Sequence, residues 1–227
     1  MKDMDEATLN ILATRMLSDY DNHSPGLAFA DGLQLEVAEA LRVQSAVATL
    51  REARGETVAG YKIGATTKGN QAFIGLDHPA WGRLWSTELH ESNVMLSKAN
   101  YANPAMEAEF AITLSDSIRP GLTDVDDILP RIAAIHPVIE IHNLVFRGAP
   151  PHGAELLANN AINAGVVLGE GITDVRSMRS TDLQLVYDGS VVDNWNALAW
   201  PQEMLTAIGW LGNCKHLVNN WPRATWF

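Results

Sequence analysis

Between Met106 and Leu114 the chain alternates. Met106, Ala108, Phe110, Ile112 and Leu114 fall on one side, and Glu107, Glu109, Ala111 and Thr113 on the other. A period of two is the mark of a β-strand, and it sets the two carboxylates side by side on one face. Like charges at that spacing repel unless a cation lies between them or one stays protonated. A strand whose Glu-bearing face lies in water satisfies the same spacing. The pattern therefore constrains the fold before it constrains the chemistry.

The first 55 residues read as helical. Leu9, Leu12 and Met16 recur at helical spacing behind the acidic start Asp3–Glu6, which suits a helix N-terminus. A second stretch over Leu35–Arg54 gathers Val37, Ala40, Leu41, Gln44, Val47 and Ala48 on one face, with Gly55 as its stop. Strands are predicted over Val58–Ile63, Val138–Phe146 and Gly165–Leu168. Leu183–Tyr187 and Ser190–Val192 flank Asp188-Gly189 as a hairpin. Helices are predicted over Asp124–Ile135 and Asn196–Leu211, the second with Pro201 in its first turn. Strands dominate the centre and do not alternate regularly with helices. The expectation is an α+β chain, with residues 1–55 a helical N-terminal arm and residues 56–227 a mixed β core.

Composition removes several function classes. Sixteen Lys+Arg against 27 Asp+Glu give a net charge of −11. Without a basic cluster the chain cannot neutralise a phosphate backbone, so no nucleic-acid partner is expected. The single cysteine, Cys214, excludes an intramolecular disulfide framework and a Cys-based zinc site. No apolar stretch is long enough to span a bilayer. The acidic start lacks the apolar run of a secretory signal, and a cytoplasmic location is expected.

A further carboxylate, Glu140, sits inside the apolar run Val138-Ile139-Glu140-Ile141-His142. Buried Glu is rare unless paired or metal-bound, and an ion pair with an Arg or an edge position answers equally well. Together with Glu107 and Glu109 it suits a hard divalent cation, which takes carboxylate oxygens. His142 shares the face of Glu140, either as a partner to a ligand or as an ordinary structural residue. Lys62, in Gly60-Tyr61-Lys62-Ile63-Gly64-Ala65-Thr66, offers a balancing charge. A surface lysine snorkelling from a strand end fits that position too.

These residues also carry a family resemblance. Leu41-Arg42-Val43-Gln44, the Gly60–Thr66 segment, Ile74-Gly75-Leu76-Asp77-His78-Pro79-Ala80-Trp81-Gly82, Glu107-Ala108-Glu109, Glu140, and Asn159-Asn160-Ala161 before Gly165-Val166-Val167-Leu168-Gly169 appear in order. They resemble the 2-keto-4-pentenoate hydratase / 4-oxalocrotonate decarboxylase group of the fumarylacetoacetate hydrolase superfamily. The resemblance implies a mixed β-sandwich or roll behind a helical N-terminal region. It implies Glu107, Glu109 and Glu140 as ligands of Mg²⁺ or Mn²⁺, Lys62 and Asp77 as catalytic groups, and Thr66, Asn160 and Asn163 as substrate contacts. The implied reaction adds water to a 2-hydroxy-2,4-dienoate through a metal-stabilised enolate, in aromatic hydrocarbon catabolism. The implied partners are a small anionic 2-oxo or 2-hydroxydienoate acid and further copies of the chain in a homo-oligomer.

Rival readings share the resemblance. A decarboxylase of a 4-oxalocrotonate-type dicarboxylate would use the same site, and a C–C hydrolase of the acylpyruvate type ranks behind it because no His–Glu pair is identified to activate its water. A catalytically weak structural partner is the third. The chain departs from the group in two places. Ile162 stands where a serine is usual, with Asn163 the nearest polar substitute. The tail from Gly212 to Phe227 does not read as the group's sheet-closing strands, so exposed sheet edges are expected there. The helices before Gly55 are expected to leave one side over the cleft as a lid.

Overall fold

The computed structural model describes residues 4–116, 118, 121–122, 124–148, 152–175, 180–199, 202–213 and 225–226. The N-terminal arm is α1 (Glu6–Asp21) and α2 (Val37–Ala53). Asp5 caps α1, its carboxylate accepting from the Thr8 backbone N–H at 2.8 Å, which satisfies one donor left open at a helix start. Glu39 accepts from the Glu36 N–H at 3.1 Å and from the Met4 N–H at 3.2 Å, so one side chain fixes the start of α2 and the lead-in to α1. Gly55 follows α2 at φ +93°, a backbone state that costs glycine little.

β1 (Val58–Gly64), α3 (Lys68–Ile74), β2 (Ala80–Trp85), β3 (Leu89–Glu91) and β4 (Pro104–Leu114) come next. They are followed by α4 (Val125–Ile128), β5 (Ile132–Asn143), α5 (Ala154–Ala158) and β6 (Asn163–Leu168). A hairpin of β7 (Ser180–Tyr187) and β8 (Ser190–Ala199), then α6 (Gln202–Gly212) and β9 (Thr225–Trp226), complete the described elements. Seven strands form one mixed sheet in the order β2-β1-β9-β4-β5-β6-β3, and β7 and β8 pair separately. Asp188 and Gly189 take φ +48° and +74° at the hairpin tip, the positive-φ pair that a tight turn of this kind requires. The architecture is α+β, as expected.

The sheet rolls on itself. Leu84 of β2, Ala111 of β4, Val138 of β5 and Val166 of β6 share one buried cluster, so the outer strand β2 returns towards β6. Asparagines stitch that seam. Asn160 donates to the Arg83 carbonyl at 2.8 Å and accepts from the Arg83 N–H at 2.6 Å, while Asn163 donates to the same carbonyl at 2.9 Å. The approach is close enough that a Cβ on Gly82 would lie 2.1 Å from the Asn160 carbonyl oxygen, which leaves room for glycine alone. On the other side of the sheet, Leu205, Ile208 and Leu211 of α6 pack with Tyr61, Trp81 and Ile112. Each fully buried Leu or Ile there contributes about 1.5–3 kcal/mol of apolar transfer.

Local structure departs from expectation in three places. The helix expected over Asp124–Ile135 stops at Ile128 and passes through a 3₁₀ turn over Leu129–Arg131. Pro130 offers no N–H, and the following β-branched run pairs with β4 instead, Ile132 opposite Leu114 and Ile135 opposite Ile112. Asn196–Ala199 continue β8, and the helix begins only at Gln202. The expected place of Pro201 lies outside the described residues, as do residues 214–224 of the tail. The tail was expected to leave sheet edges open, yet Thr225 and Trp226 lie between β1 and β4. They run parallel to β1 and antiparallel to β4, a two-residue pairing too short to leave a sequence signal. Among the described residues no helix is long and apolar enough to cross a membrane.

Candidate active site

The β4–β5 ladder sets the acidic face. Glu107 lies directly opposite Glu140, Glu109 opposite Val138, and Ala105 opposite His142. Residues two apart share a face, so Glu107, Glu109, Glu140 and His142 all project to one side. Lys62 reaches the same place from β1, and its Nζ pairs with Glu140 Oε2. His142 Nε2 lies 3.0 Å from Lys62 Nζ, 3.0 Å from Glu140 Oε2 and 3.9 Å from Glu107 Oε2. Lys62, Glu140 and His142 are buried, Glu140 completely, whereas Glu107 is 53% exposed. The snorkelling alternative for Lys62 is thereby removed.

Burial acts most strongly on Glu140 and pushes its carboxyl up. The charge of Lys62 and the contact with His142 outweigh burial and hold it below the usual carboxylate range. Glu109 has no such direct partner. Burial is the main influence on it, with the charges of Glu140 and Glu107 adding to it against Lys62, and its carboxyl is pushed up to about 7. The acidic face thus carries more negative charge than Lys62 balances.

The donor set fits a divalent cation. Glu107, Glu140 and His142 each offer a ligand atom, all within 4.8 Å of one another. Glu140 Oε1 is buried and has no hydrogen-bond partner among the described residues, an arrangement that is costly unless a cation satisfies it. Glu109 stands beside this group, between two depressions. One is a cleft of ≈ 210 Å³ shared with Thr66, Asn70, Phe110 and, from α6, Met204 and Ile208. The other lies between β4 and the β7–β8 ribbon, where Glu107 and Glu109 face Leu183, Leu185, Asp193 and Trp195.

The remaining expected residues divide between the cleft and other places. Thr66 does line the cleft beside Glu109. Asp77 sits on the turn between α3 and β2 with its side chain 98% exposed, its nearest ionic neighbour being His78 at 3.9 Å. Asn160 and Asn163 are occupied by the backbone of Arg83, because the rolled sheet needs them at its seam. The N-terminal helices, expected to leave one side over the cleft, border a different depression within this chain. α6 flanks the Glu109 cleft, and α1 and α2 close over a separate small cavity lined by Met16, Tyr20, Gln44, Arg51 and Trp85.

Sequence reasoning missed the polar group at that second cavity. Arg51 donates to Glu88 at 2.7 Å and to Glu56 at 2.8 Å, and Tyr20 donates to Glu88 at 2.8 Å. Burial pushes the Glu88 carboxyl up despite Arg51. The available signal was Arg51 at the end of the α2 face, three residues beyond Ala48. Gln44 on the same face donates to the carbonyls of Trp81 and Leu157, tying the arm to the core.

No family model matches the chain. It is 25% identical over 190 residues to a 4-oxalocrotonate decarboxylase from a Pseudomonas species, covering 84% of this chain and 69% of that protein. It is 28% identical over 166 residues to a 2-keto-4-pentenoate hydratase from Burkholderia vietnamiensis, covering 72% of this chain. The chain spans 63% of that hydratase's length. Among solved structures, the 4-oxalocrotonate decarboxylase from Pseudomonas putida G7, complexed with magnesium and adipate, superposes with a TM-score of 0.89. The match covers all of this chain and 88% of that one, at 18% identity. The chain shares that fold, and its similarity to the hydratase and decarboxylase group, read above from its motifs, is shown by these relatives.

Proposed function

We propose that this protein is a metal-dependent lyase that adds water to a 2-hydroxy-2,4-dienoate and releases a 4-hydroxy-2-oxo acid. One observation carries the reading: Glu140 is fully buried, one oxygen held by Lys62 and the other unpartnered, on a face that also bears Glu107 and Glu109. The similarity to proteins named as hydratases and decarboxylases supports the same class of chemistry. In this proposal Glu107, Glu109 and Glu140 hold Mg²⁺ or Mn²⁺. When bound, the cation polarises the C2 oxygen of the acid.

The chain's own groups do the rest. Lys62 offsets the carboxylates, so that an anionic acid can approach, and it carries a proton at Nζ for transfer to the substrate. Thr66 presents a hydroxyl at the mouth of the cleft, where it binds the acid's carboxylate. Phe110, Ile112, Met204 and Ile208 form an apolar wall that suits an unsaturated carbon chain and keeps bulk water from it. Asn160 and Asn163 act through position, by fixing the seam behind the acidic face.

A second reading is decarboxylation of a 4-oxalocrotonate-type acid at the same groups. It is favoured by the relative that is matched over 84% of this chain. We place the protein in the cytoplasm, in the breakdown of aromatic compounds, as a homo-oligomer. The exposed apolar side chains Val186, Tyr187, Val191 and Val192 at the end of the ribbon support self-association. The deciding experiment is product analysis of the purified protein with a panel of 2-hydroxydienoates and 2-oxo dicarboxylates, with Mg²⁺, with Mn²⁺ and with chelator. Metal-dependent formation of a 4-hydroxy-2-oxo acid is expected. Release of CO₂ without hydration would favour the second reading, and no turnover of any acid would reject both.

A further inference from the structure

We infer that His142 is a nitrogen ligand of this metal centre, and that the site therefore prefers a first-row transition ion over Mg²⁺. The inference rests on the metal-site reading above. It adds an imidazole to what would otherwise be an all-oxygen set.

His142 and Glu140 are two apart on β5 and share a face. Both are buried, so the imidazole is held in place. The separation of His142 Nε2 and Glu140 Oε2 is 3.0 Å. Adjacent ligands of an octahedral ion with bonds of about 2.1 Å are roughly 3 Å apart, so the two atoms already have the spacing of neighbouring ligands. Glu107 Oε2 is farther, 3.9 Å from Nε2, but its half-exposed side chain has freedom to close in.

The partner of this pair is the second sign. Lys62 Nζ lies 3.0 Å from His142 Nε2, so the imidazole edge is turned to that ammonium. The same ammonium holds Glu140 Oε2. Two ligand-type atoms, Glu140 Oε2 and His142 Nε2, converge on one positive group, and a divalent ion would compete with Lys62 for that place. The unpartnered Glu140 Oε1 leaves a further buried oxygen available beside them. Hard Mg²⁺ favours oxygen donors, whereas imidazole nitrogen favours later first-row ions such as Co²⁺, Ni²⁺ and Zn²⁺.

The test reads coordination directly. The full-length protein is loaded with Mn²⁺ and examined by pulsed electron paramagnetic resonance, and Mg²⁺ and Co²⁺ affinities are measured by calorimetry. A directly bound nitrogen should appear in the parent, shift when histidine is labelled with ¹⁵N, and vanish in His142→Val. The preference for Co²⁺ over Mg²⁺ should fall by at least about 10-fold in that variant, the lower end of what loss of even an outer partner of a ligand costs. The ¹⁵N label needs no substitution, so it answers even if the variant folds poorly. Tight Mn²⁺ binding without nitrogen coupling in the parent would overturn His142 as a ligand and leave the carboxylate site standing. Absence of Mn²⁺ binding altogether would overturn this inference and the metal reading together.

Discussion

Glu107 and Glu140 stand directly opposite each other across the β4–β5 ladder, yet one is half exposed and the other has no accessible surface. In the metal site we propose, their environments divide the work. The buried carboxylate is fixed by Lys62 and cannot relax, while the exposed one can move to complete coordination or admit substrate. Like charges opposite one another on a ladder are destabilising unless something positive intervenes. Lys62 meets that need in the metal-free protein.

Glu140→Gln should therefore be strongly destabilising without metal. It leaves the Lys62 ammonium buried beside a neutral amide, and removing one partner of a buried pair costs about 3–5 kcal/mol. Chemical denaturation of the parent and the variant measures the difference. A loss below about 1 kcal/mol, the level of a surface pair, would mean that Lys62 escapes to solvent and that the pair is not structural.

Lys62→Met keeps much of the apolar stem and removes the charge. Metal affinity should hold or tighten, because the competitor for Glu140 is gone, while turnover should fall by about 100-fold or more with the proton donor lost. Calorimetry and the loss of dienol absorbance separate the two effects. A variant that turns over like its parent would remove Lys62 from the chemistry.

The acidic face makes stability depend on pH. The Glu109 carboxyl is pushed up to about 7 from an ordinary value of 4.5. Between those values the folded metal-free protein keeps a proton that the unfolded chain has lost. Its contribution to stability is thus fully present below pH 4.5 and is lost as pH rises through about 7, by at most about 3 kcal/mol. Melting temperature measured across this range should decline from this group, and Glu109→Gln should flatten the decline. Divalent cation should flatten it too, by favouring the ionised form. A slope unchanged in the Gln variant would assign it to other groups.

Gly82→Ala tests the seam. The added Cβ meets the Asn160 carbonyl oxygen at 2.1 Å, a backbone atom that cannot turn aside. Overpacking of this kind costs about 1–3 kcal/mol, and the loss should be accompanied by faster hydrogen exchange at the Arg83 amide as its bond to Asn160 opens. Unchanged exchange would show that the strand shifts without releasing the seam.

Much of the local structure was legible in the sequence because the signals are local. The period of two over Met106–Leu114 already put Glu107 and Glu109 on one face, and Gly55 and Asp188-Gly189 marked real chain reversals. Asp124–Ile135 misled because an Asp cap and acidic first turn do announce a helix, but Pro130 ends its supply of donors. The β-branched run beyond it had a strand partner that no local window reveals.

By itself, then, the sequence determined the α+β class, the helical arm, the strand that bears the carboxylates and the unusual placement of Glu140 in an apolar run. These follow from periodicity, capping and turn chemistry, which depend on residues a few positions apart. Only the tertiary structure decided that Glu107 opposes Glu140, that Lys62 from 78 positions away pairs with it, and that His142 Nε2 turns to the same ammonium. It also sent Asp77 to solvent, committed Asn160 and Asn163 to the seam, and placed Thr225–Trp226 between two strands. Register and the rolling of a sheet are set by pairings between distant segments. A buried charge has no local signature until those pairings supply its partner.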